Sequence, residues 1–352
     1  MLILALYHLR SAESIMNLAH VTQPHPFARF VAILGRGKSL TRSLTLEEAE
    51  EAMTMILAGQ VEPEQLGAFL MLLRVKEESP AEIAGFARAA QKSLGSTQVG
   101  CADVDWSSYA GKRRQLPWFL LAALALAQSG RRVFMHGVDG HTAGRLYTGA
   151  ALKALGVEPA QKLEQAQSQL AQRNFAYLPL EALSPVLARM MGMKTLLGLR
   201  SPVNTLTRMI NPFHAPCLLQ SVFHPGFMFT HRDAALLLGQ PRMSVFRGEG
   251  GEIERRPSKP CEVMNVVDGE SFEERWPPLL EEPRQPHDEI MDLARLPALW
   301  RGELQDEYAI AAVTGTLAIA LRTLGAAKDM VSAQQQAEQI WAARDPRQLL
   351  AA

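Results

Sequence analysis

The chain has 352 residues, 47% of them hydrophobic and 20% charged, with 36 Lys and Arg against 36 Asp and Glu. That length suits a large globular domain with a smaller one, and zero net charge gives no overall pull toward a polyanion. Three cysteines (Cys101, Cys217, Cys261), far apart and without a CxxC pair, argue against a disulfide framework or a zinc site and fit a reducing, cytoplasmic setting.

The first nine residues, MLILALYHL, are apolar, but Arg10 follows the run instead of preceding it, and the run is too short to cross a bilayer. Residues 1–26 read as an extension, with Met16 an alternative start, and no membrane association is expected. Three helices follow within residues 45–95. Thr45 and Glu48 form a capping box ahead of Leu46, Ala49, Met53 and Ile56 at helical spacing. Pro63 opens a helix whose apolar face carries Leu66, Phe69, Leu70 and Leu73. Ser79-Pro80-Ala81-Glu82 is a second box, starting a helix with Ile83, Phe86 and Ala90 that stops near Gly95.

The pattern then alternates. Ser107–Gln115 reads as a loop and Pro117–Gly130 as a helix. Val133-Phe134-Met135 reads as a buried strand, His136–Arg145 as a second loop, and a helix follows through Leu155. Helix, strand, loop and helix in this order build a parallel sheet, and ligands in such sheets sit beyond the carboxyl ends of the strands. Further on, Gln161–Arg173 reads as helix and Phe175–Leu178 as strand. Ser184–Leu206 reads as helix broken at Pro202, and Arg242–Phe246 as strand. Residues 252–288, rich in Pro and Glu, read as an irregular excursion, and Asp306–Leu324 and Ser332–Arg344 as closing helices. The fold class is therefore α/β: a small all-helical N-terminal domain (27–98, with 184–210 packing on it) and a larger α/β domain (99–352) whose central, mostly parallel sheet is flanked by helices.

Charge is distributed unevenly. Residues 15–46 hold Arg29, Arg36, Lys38 and Arg42 and no acid. Residues 107–153 hold seven cations against Asp139 alone, and 182–232 hold Arg189, Lys194, Arg200, Arg208 and Arg232 with no acid. Residues 249–307 hold sixteen acids against seven cations. Such asymmetry marks a polyanion-facing side, or a set of scattered solvated charges.

Motifs for other chemistries are weak. Gly35-Arg36-Gly37-Lys38-Ser39 lacks the upstream glycine of a Walker loop, where Ala32 stands, and no strand precedes it. His136, His141, His224 and His231 are placed to line a cleft, but none forms a HExxH pair. No GxSxG or Cys/His nucleophile pattern appears.

Residues 45–93 closely resemble the N-terminal helical domain of anthranilate phosphoribosyltransferases (glycosyltransferase family 3). The resemblance runs on through Met135-His136-Gly137, ALKALGV at 151–157, Gly198-Leu199-Arg200, Asn204 and Asn211-Pro212. It implies a helical dimerisation domain against an α/β domain, with phosphoribosyl pyrophosphate (PRPP) between them. Tyr109, Gly111, His136 and Gly137 fall at the PRPP-site equivalents. The motifs depart, however. The enzymes' glycine-rich loop becomes Ser108-Tyr109-Ala110-Gly111-Lys112-Arg113-Arg114-Gln115, and the Asn after His136-Gly137 becomes Val138. The anthranilate-contacting Arg falls at Lys194, and the metal-binding Asp-Glu pair falls near Glu252 and Glu254 without an adjacent acid pair. That combination resembles the YbiB-like subfamily, associated with nucleic-acid binding.

The resemblance so read implies a homodimer with no catalytic residues, no metal and no cofactor. It would bind single-stranded DNA or RNA through phosphates, using Arg36, Lys38, Lys112, Arg113, Arg114, Arg145, Lys194, Arg200 and Arg208. Tyr109 and Trp118 are candidates for base stacking, Trp118 being also a natural core residue. The rival expectation is a transferase using PRPP, with magnesium, or another sugar phosphate with a different acceptor.

Overall fold

The computed structural model describes residues 23–37, 39–95, 99–140, 142–282, 287–288 and 290–350. The chain opens with four helices: α1 (Ala28–Gly35), α2 (Leu46–Leu57), α3 (Pro63–Lys76) and α4 (Pro80–Ser93). Both expected capping boxes form, so the orphan amides at the starts of α2 and α4 are met by Thr45 and Ser79. Glu82 does more than cap. Its buried carboxylate also accepts from Leu44 N at 2.9 Å and from Lys76 Nζ at 2.7 Å, joining three segments of the bundle. α2 and α4 meet at Gly85, where a Cβ would stand 2.3 Å from the Leu46 carbonyl oxygen.

The α/β part begins with β1 (Val104–Ser108), α5 (Phe119–Gln128), β2 (Val133–Gly137), α6 (Thr148–Ala154), α7 (Leu163–Arg173) and β3 (Phe175–Pro179). Four short helices follow: α8 (Leu180–Leu183), α9 (Pro185–Gly192), α10 (Lys194–Leu197) and α11 (Val203–Leu206). The chain then forms β4 (Cys217–Val222), α12 (Phe227–Leu237), β5 (Arg242–Arg247), β6 (Cys261–Val267) and β7 (Glu270–Trp276). It closes with α13 (Arg295–Arg301), α14 (Glu307–Thr323) and α15 (Met330–Ala343). The seven strands lie in the order β3-β2-β1-β4-β5-β6-β7. β1 to β5 are parallel, and β6 and β7 run antiparallel at one edge.

Three local expectations are corrected. Ser107 and Ser108 belong to β1 instead of the loop, because β1 keeps parallel register with β2 through Ser108–Gly137. Residues 252–288 are not wholly irregular, since they contain the β6–β7 hairpin. Its two-residue turn, Asp268-Gly269, has φ of 49° and 87°, the geometry that a tight hairpin requires. The Ser184–Leu206 helix is several short pieces, interrupted at Met193 and again over 198–202.

Strand side chains alternate between two apolar cores, as a pleated strand dictates. Val104, Trp106, Val133, Met135, Phe175 and Tyr177 pack with α5, α13, α14 and α15. Phe134, Ala176, Leu178, Leu218, Met243 and Val245 pack on the other face, in one continuous core with Phe27, Phe30, Phe69 and Phe86 of the helical bundle. Among the described residues no helix is long and apolar enough to cross a membrane.

Candidate anion-binding cleft

The chain leaves β1, builds β2 and β3 on one side, and returns to add β4 on the other side of β1. The carboxyl ends of β1 and β4 therefore mark the place where strand order reverses, where α/β sheets open a crevice. A cavity of about 290 Å³ lies there. Tyr109 and Ala110 wall it just after β1, Ser221 to His224 at and beyond the end of β4, and Gly250 and Gly251 after β5. The helical bundle contributes Arg74 and Glu78, and the 198–209 region contributes Arg200, Asn204 and Arg208.

Four guanidinium groups line this cavity, those of Arg74, Arg145, Arg200 and Arg208, with Glu78 the only carboxylate among the lining residues. Glu78 accepts from Thr205 Oγ1 at 2.7 Å. Burial and then the charge of Arg145 push Arg200 below its ordinary value, with Arg74 adding to the effect. Burial pushes Arg208 down, opposed by the charge of Glu252. Like charges gathered in a half-enclosed space raise the local positive potential.

Two of the four are also tethered. Arg145 Nη1 donates to the carbonyls of Ala110 (2.8 Å), Gly111 (3.2 Å) and Gly250 (3.4 Å), clamping two loops together. Arg208 donates to the Asn204 carbonyl and lies over the Tyr109 ring, 5.8 Å from its centroid. Beneath that ring a buried chain runs inward. The Tyr109 hydroxyl is 2.6 Å from His136 Nδ1, and His136 Nε2 is 3.1 Å from Asp105 Oδ1. Burial, with Asp105 nearby, holds the phenol well above its usual range, so it remains a donor. His231, also on the cavity wall, is pushed down to about 3 by burial and by Arg208, and stays neutral.

The segment 108–112 is organised by two carboxylates. Glu252 Oε1 accepts from Ala110 N at 2.7 Å and Gly111 N at 2.5 Å, and its Oε2 accepts from Ser108 Oγ at 2.9 Å. Gly111 has φ of +68°, and the amides of Ala110 and Gly111 meet at one carboxylate oxygen, a concavity suited to an anion. Glu254 is ion-paired with Lys112 and accepts from Phe119 N at 2.9 Å. Burial raises the Glu254 carboxyl, against the pull of Lys112.

The cations expected to act together are thus sorted by the fold. Arg145, Arg200 and Arg208 converge on the cavity. Lys112 does not face solvent: it is 1% exposed, because its backbone pairs with Leu146 and its ammonium is drawn in by Glu254. Arg113 and Arg114 are exposed beside it, and Arg36 is exposed after α1, but none of the three lines the cavity; neither does Lys194. Lys38 and His141 lie outside the described residues. Tyr109 lines the cavity, whereas His136, Gly137 and Gly111 sit behind its wall. Trp118 is core. Arg74 was not anticipated; its place in the last turn of α3 gives no sign that it meets the sheet's carboxyl edge.

The two carboxylates nearest the expected metal-binding pair are engaged by protein donors. Glu252 already serves three protein donors and Glu254 is held by Lys112. Among the described residues no cluster of three His, Cys, Asp or Glu is arranged for a metal.

A helical bundle against a doubly covered, mostly parallel sheet, with a cationic crevice at the switch point, defines a phosphoribosyltransferase-type architecture. Comparison with known proteins agrees. Residues 30–94 match the glycosyl transferase family helical bundle domain. Anthranilate phosphoribosyltransferase of Moorella thermoacetica is 30% identical over 292 residues, covering 82% of this chain and 81% of that one. An uncharacterized Escherichia coli protein, YbiB, is 28% identical over 251 residues, 70% of this chain and 78% of that one. Anthranilate phosphoribosyltransferase from Thermus thermophilus superposes with a TM-score of 0.76 at 23% identity, covering 93% of this chain and 97% of its own. The Saccharomyces cerevisiae enzyme in complex with PRPP and Mg gives 0.71 at 15% identity, with coverage of 92% and 95%. The chain belongs to the anthranilate phosphoribosyltransferase-like family of glycosyltransferases.

Proposed function

We propose that this chain is a transferase-type member of its family whose cleft takes a phosphorylated sugar, with an acceptor other than anthranilate. The observation that carries the reading is the convergence of Arg74, Arg145, Arg200 and Arg208 on one cavity of about 290 Å³ at the switch point. That volume suits a phosphorylated pentose. Guanidinium groups recognise phosphate in a planar, bidentate fashion without a metal, which agrees with the engagement of Glu252 and Glu254 by protein donors. The family relationship supports glycosyl transfer as the reaction class, and a relative's complex with PRPP and Mg supports a sugar phosphate as the ligand type. In this reading the arginines bind and orient the phosphate, and Tyr109, fixed through His136 and Asp105, forms a rigid floor under the sugar.

A second reading is favoured by Phe223, which lines the cavity while 52% exposed. An aromatic ring at the mouth of a cationic cleft is a stacking platform for an unpaired base, with the arginines on phosphates of a single strand. Arg113 and Arg114 would extend such a path outside the cavity.

Calorimetric titration with ribose 5-phosphate, PRPP with and without Mg²⁺, and a single-stranded oligonucleotide separates the two. The expected result is saturable, metal-independent binding of ribose 5-phosphate. The Arg74→Ala/Arg200→Ala variant should weaken it at least about tenfold, since a hydrogen bond to a charged group contributes about 1.5–3 kcal/mol. Absence of sugar-phosphate binding, together with oligonucleotide binding whose log–log salt slope is about −0.7 per contact, would transfer the cleft to the second reading.

A further inference from the structure

We infer that Glu252 is a resident anion that fixes how many phosphate groups the cleft accepts. Its carboxylate occupies the concavity formed by the amides of Ala110 and Gly111 and the hydroxyl of Ser108, itself 2.7 Å from Thr148 Oγ1. Ala110 lines the cavity beside Gly250 and Gly251, and Ser108, Gly111 and Glu252 are buried directly behind that stretch of wall. Convergent amides after a strand are a general receptor for a phosphate oxygen. Here the receptor is filled by the chain itself.

The surrounding backbone is built to keep it filled. The turn after β5 doubles back through Gly250 and Gly251, with φ of +68° and +94°, and delivers Glu252 to the 110–111 amides. A Cβ on Gly248 would stand 1.8 Å from the Glu252 carbonyl oxygen and 2.4 Å from Ser221 Oγ, so the turn closes only with glycine there. Arg145, tied to the carbonyls of Ala110, Gly111 and Gly250, holds the two loops against each other. Arg208 feels the negative charge of Glu252.

The consequence is a site of limited capacity. The arginines remain available for one phosphate group, whereas a second, linked group reaching toward the loop finds the amides behind this wall already taken by Glu252. The ligand class is therefore a sugar with one phosphate group, which for glycosyl transfer is the anomeric phosphate that departs as orthophosphate, and a diphosphate is disfavoured. This rests on the proposed phosphate-binding cleft and narrows it.

The test titrates inorganic orthophosphate and inorganic diphosphate into wild type, Glu252→Ala and Glu252→Gln. Wild type is expected to bind the two ions within about threefold of each other, because the amides that would hold a second group are not free. Glu252→Ala empties the concavity and should raise diphosphate affinity selectively, by about tenfold or more. Glu252→Gln keeps an acceptor oxygen on the amides while removing the charge, and should tighten both ions alike. A wild-type preference for diphosphate of about tenfold or more overturns the inference. So does a folded Glu252→Ala protein with no selective gain. Should that variant not fold, the wild-type ratio decides alone. If wild type binds neither ion but Glu252→Ala binds diphosphate, the inference stands and the sugar-phosphate reading falls. If wild type binds orthophosphate and ribose 5-phosphate but Glu252→Ala gains nothing, the reverse holds.

Discussion

Lys112, Arg113 and Arg114 are neighbours in sequence with opposite fates. The bridge to Leu146 turns Lys112 inward onto Glu254, while the two arginines stay in solvent. Removing Lys112 alone leaves a buried carboxylate without its counter-charge, so Lys112→Met should cost about 3–5 kcal/mol in chemical denaturation. Arg113→Ser and Arg114→Ser should each stay within about 0.5 kcal/mol of wild type. The sign with pH follows from Glu254. Burial raises its carboxyl in the folded state, and losing Lys112 removes the charge that holds it down. In the variant, the destabilisation due to Glu254 should be smallest below the ordinary value of 4.5 and should grow as pH rises toward the folded value. A deficit that shrinks in acid, measured by denaturation between about pH 4 and 8, checks both the burial and the sign. The charge of this run was legible in the sequence, but its division was not. A lysine's direction depends on which acid the fold brings to it, here one 142 positions away.

At the scale of elements, local signals were read well where they act locally. The boxes at Thr45 and Ser79 satisfy helix ends within four residues, and both form. β1 and β4 escaped notice because a five- or six-residue strand buried on both faces shows no polar alternation. The Asp268-Gly269 pair did carry a hairpin signal, hidden in a segment dominated by Pro and Glu. Of the residues that line the cavity, Arg145, Arg200, Arg208 and Tyr109 had been named from the sequence, while Arg74 needed the docking of α3 against the sheet to be seen. The same kind of long-range approach makes Gly85 vulnerable. A methyl there meets the Leu46 carbonyl, Ala49 Cβ and Glu50 N within 3 Å, so α2 and α4 must separate. Gly85→Ala should lower stability by about 1–3 kcal/mol despite alanine's better helix propensity. A thermal melt showing equal or greater stability would mean that the two helices adjust freely.

For the whole molecule, the continuity of one apolar core from Phe27 and Phe69 through Phe86 to Phe134 and Leu218 matters most. The helical bundle and one face of the sheet bury their apolar groups in common, so neither is complete alone. Calorimetry is expected to show one unfolding transition, with van't Hoff and calorimetric enthalpies equal. Two resolved transitions, or a stable fold for residues 27–98 in isolation, would show that the bundle is thermodynamically separate. The cleft lies between these two bodies, so a ligand that bridges Arg74 and Arg208 should shift the whole transition upward.

The outer edge of the sheet has its own consequence. β7 ends the strand order, and its residues are mostly exposed, with Glu270, Glu273, Glu274 and Arg275 along it and Arg322 bound to Glu274. An edge strand is a template onto which a further strand can be laid, and charged side chains make that addition unfavourable. Growth by strand pairing on this side is therefore self-terminating. Copies of this chain that meet must do so through other surfaces, where contacts can close into a finite assembly and not an open fibre.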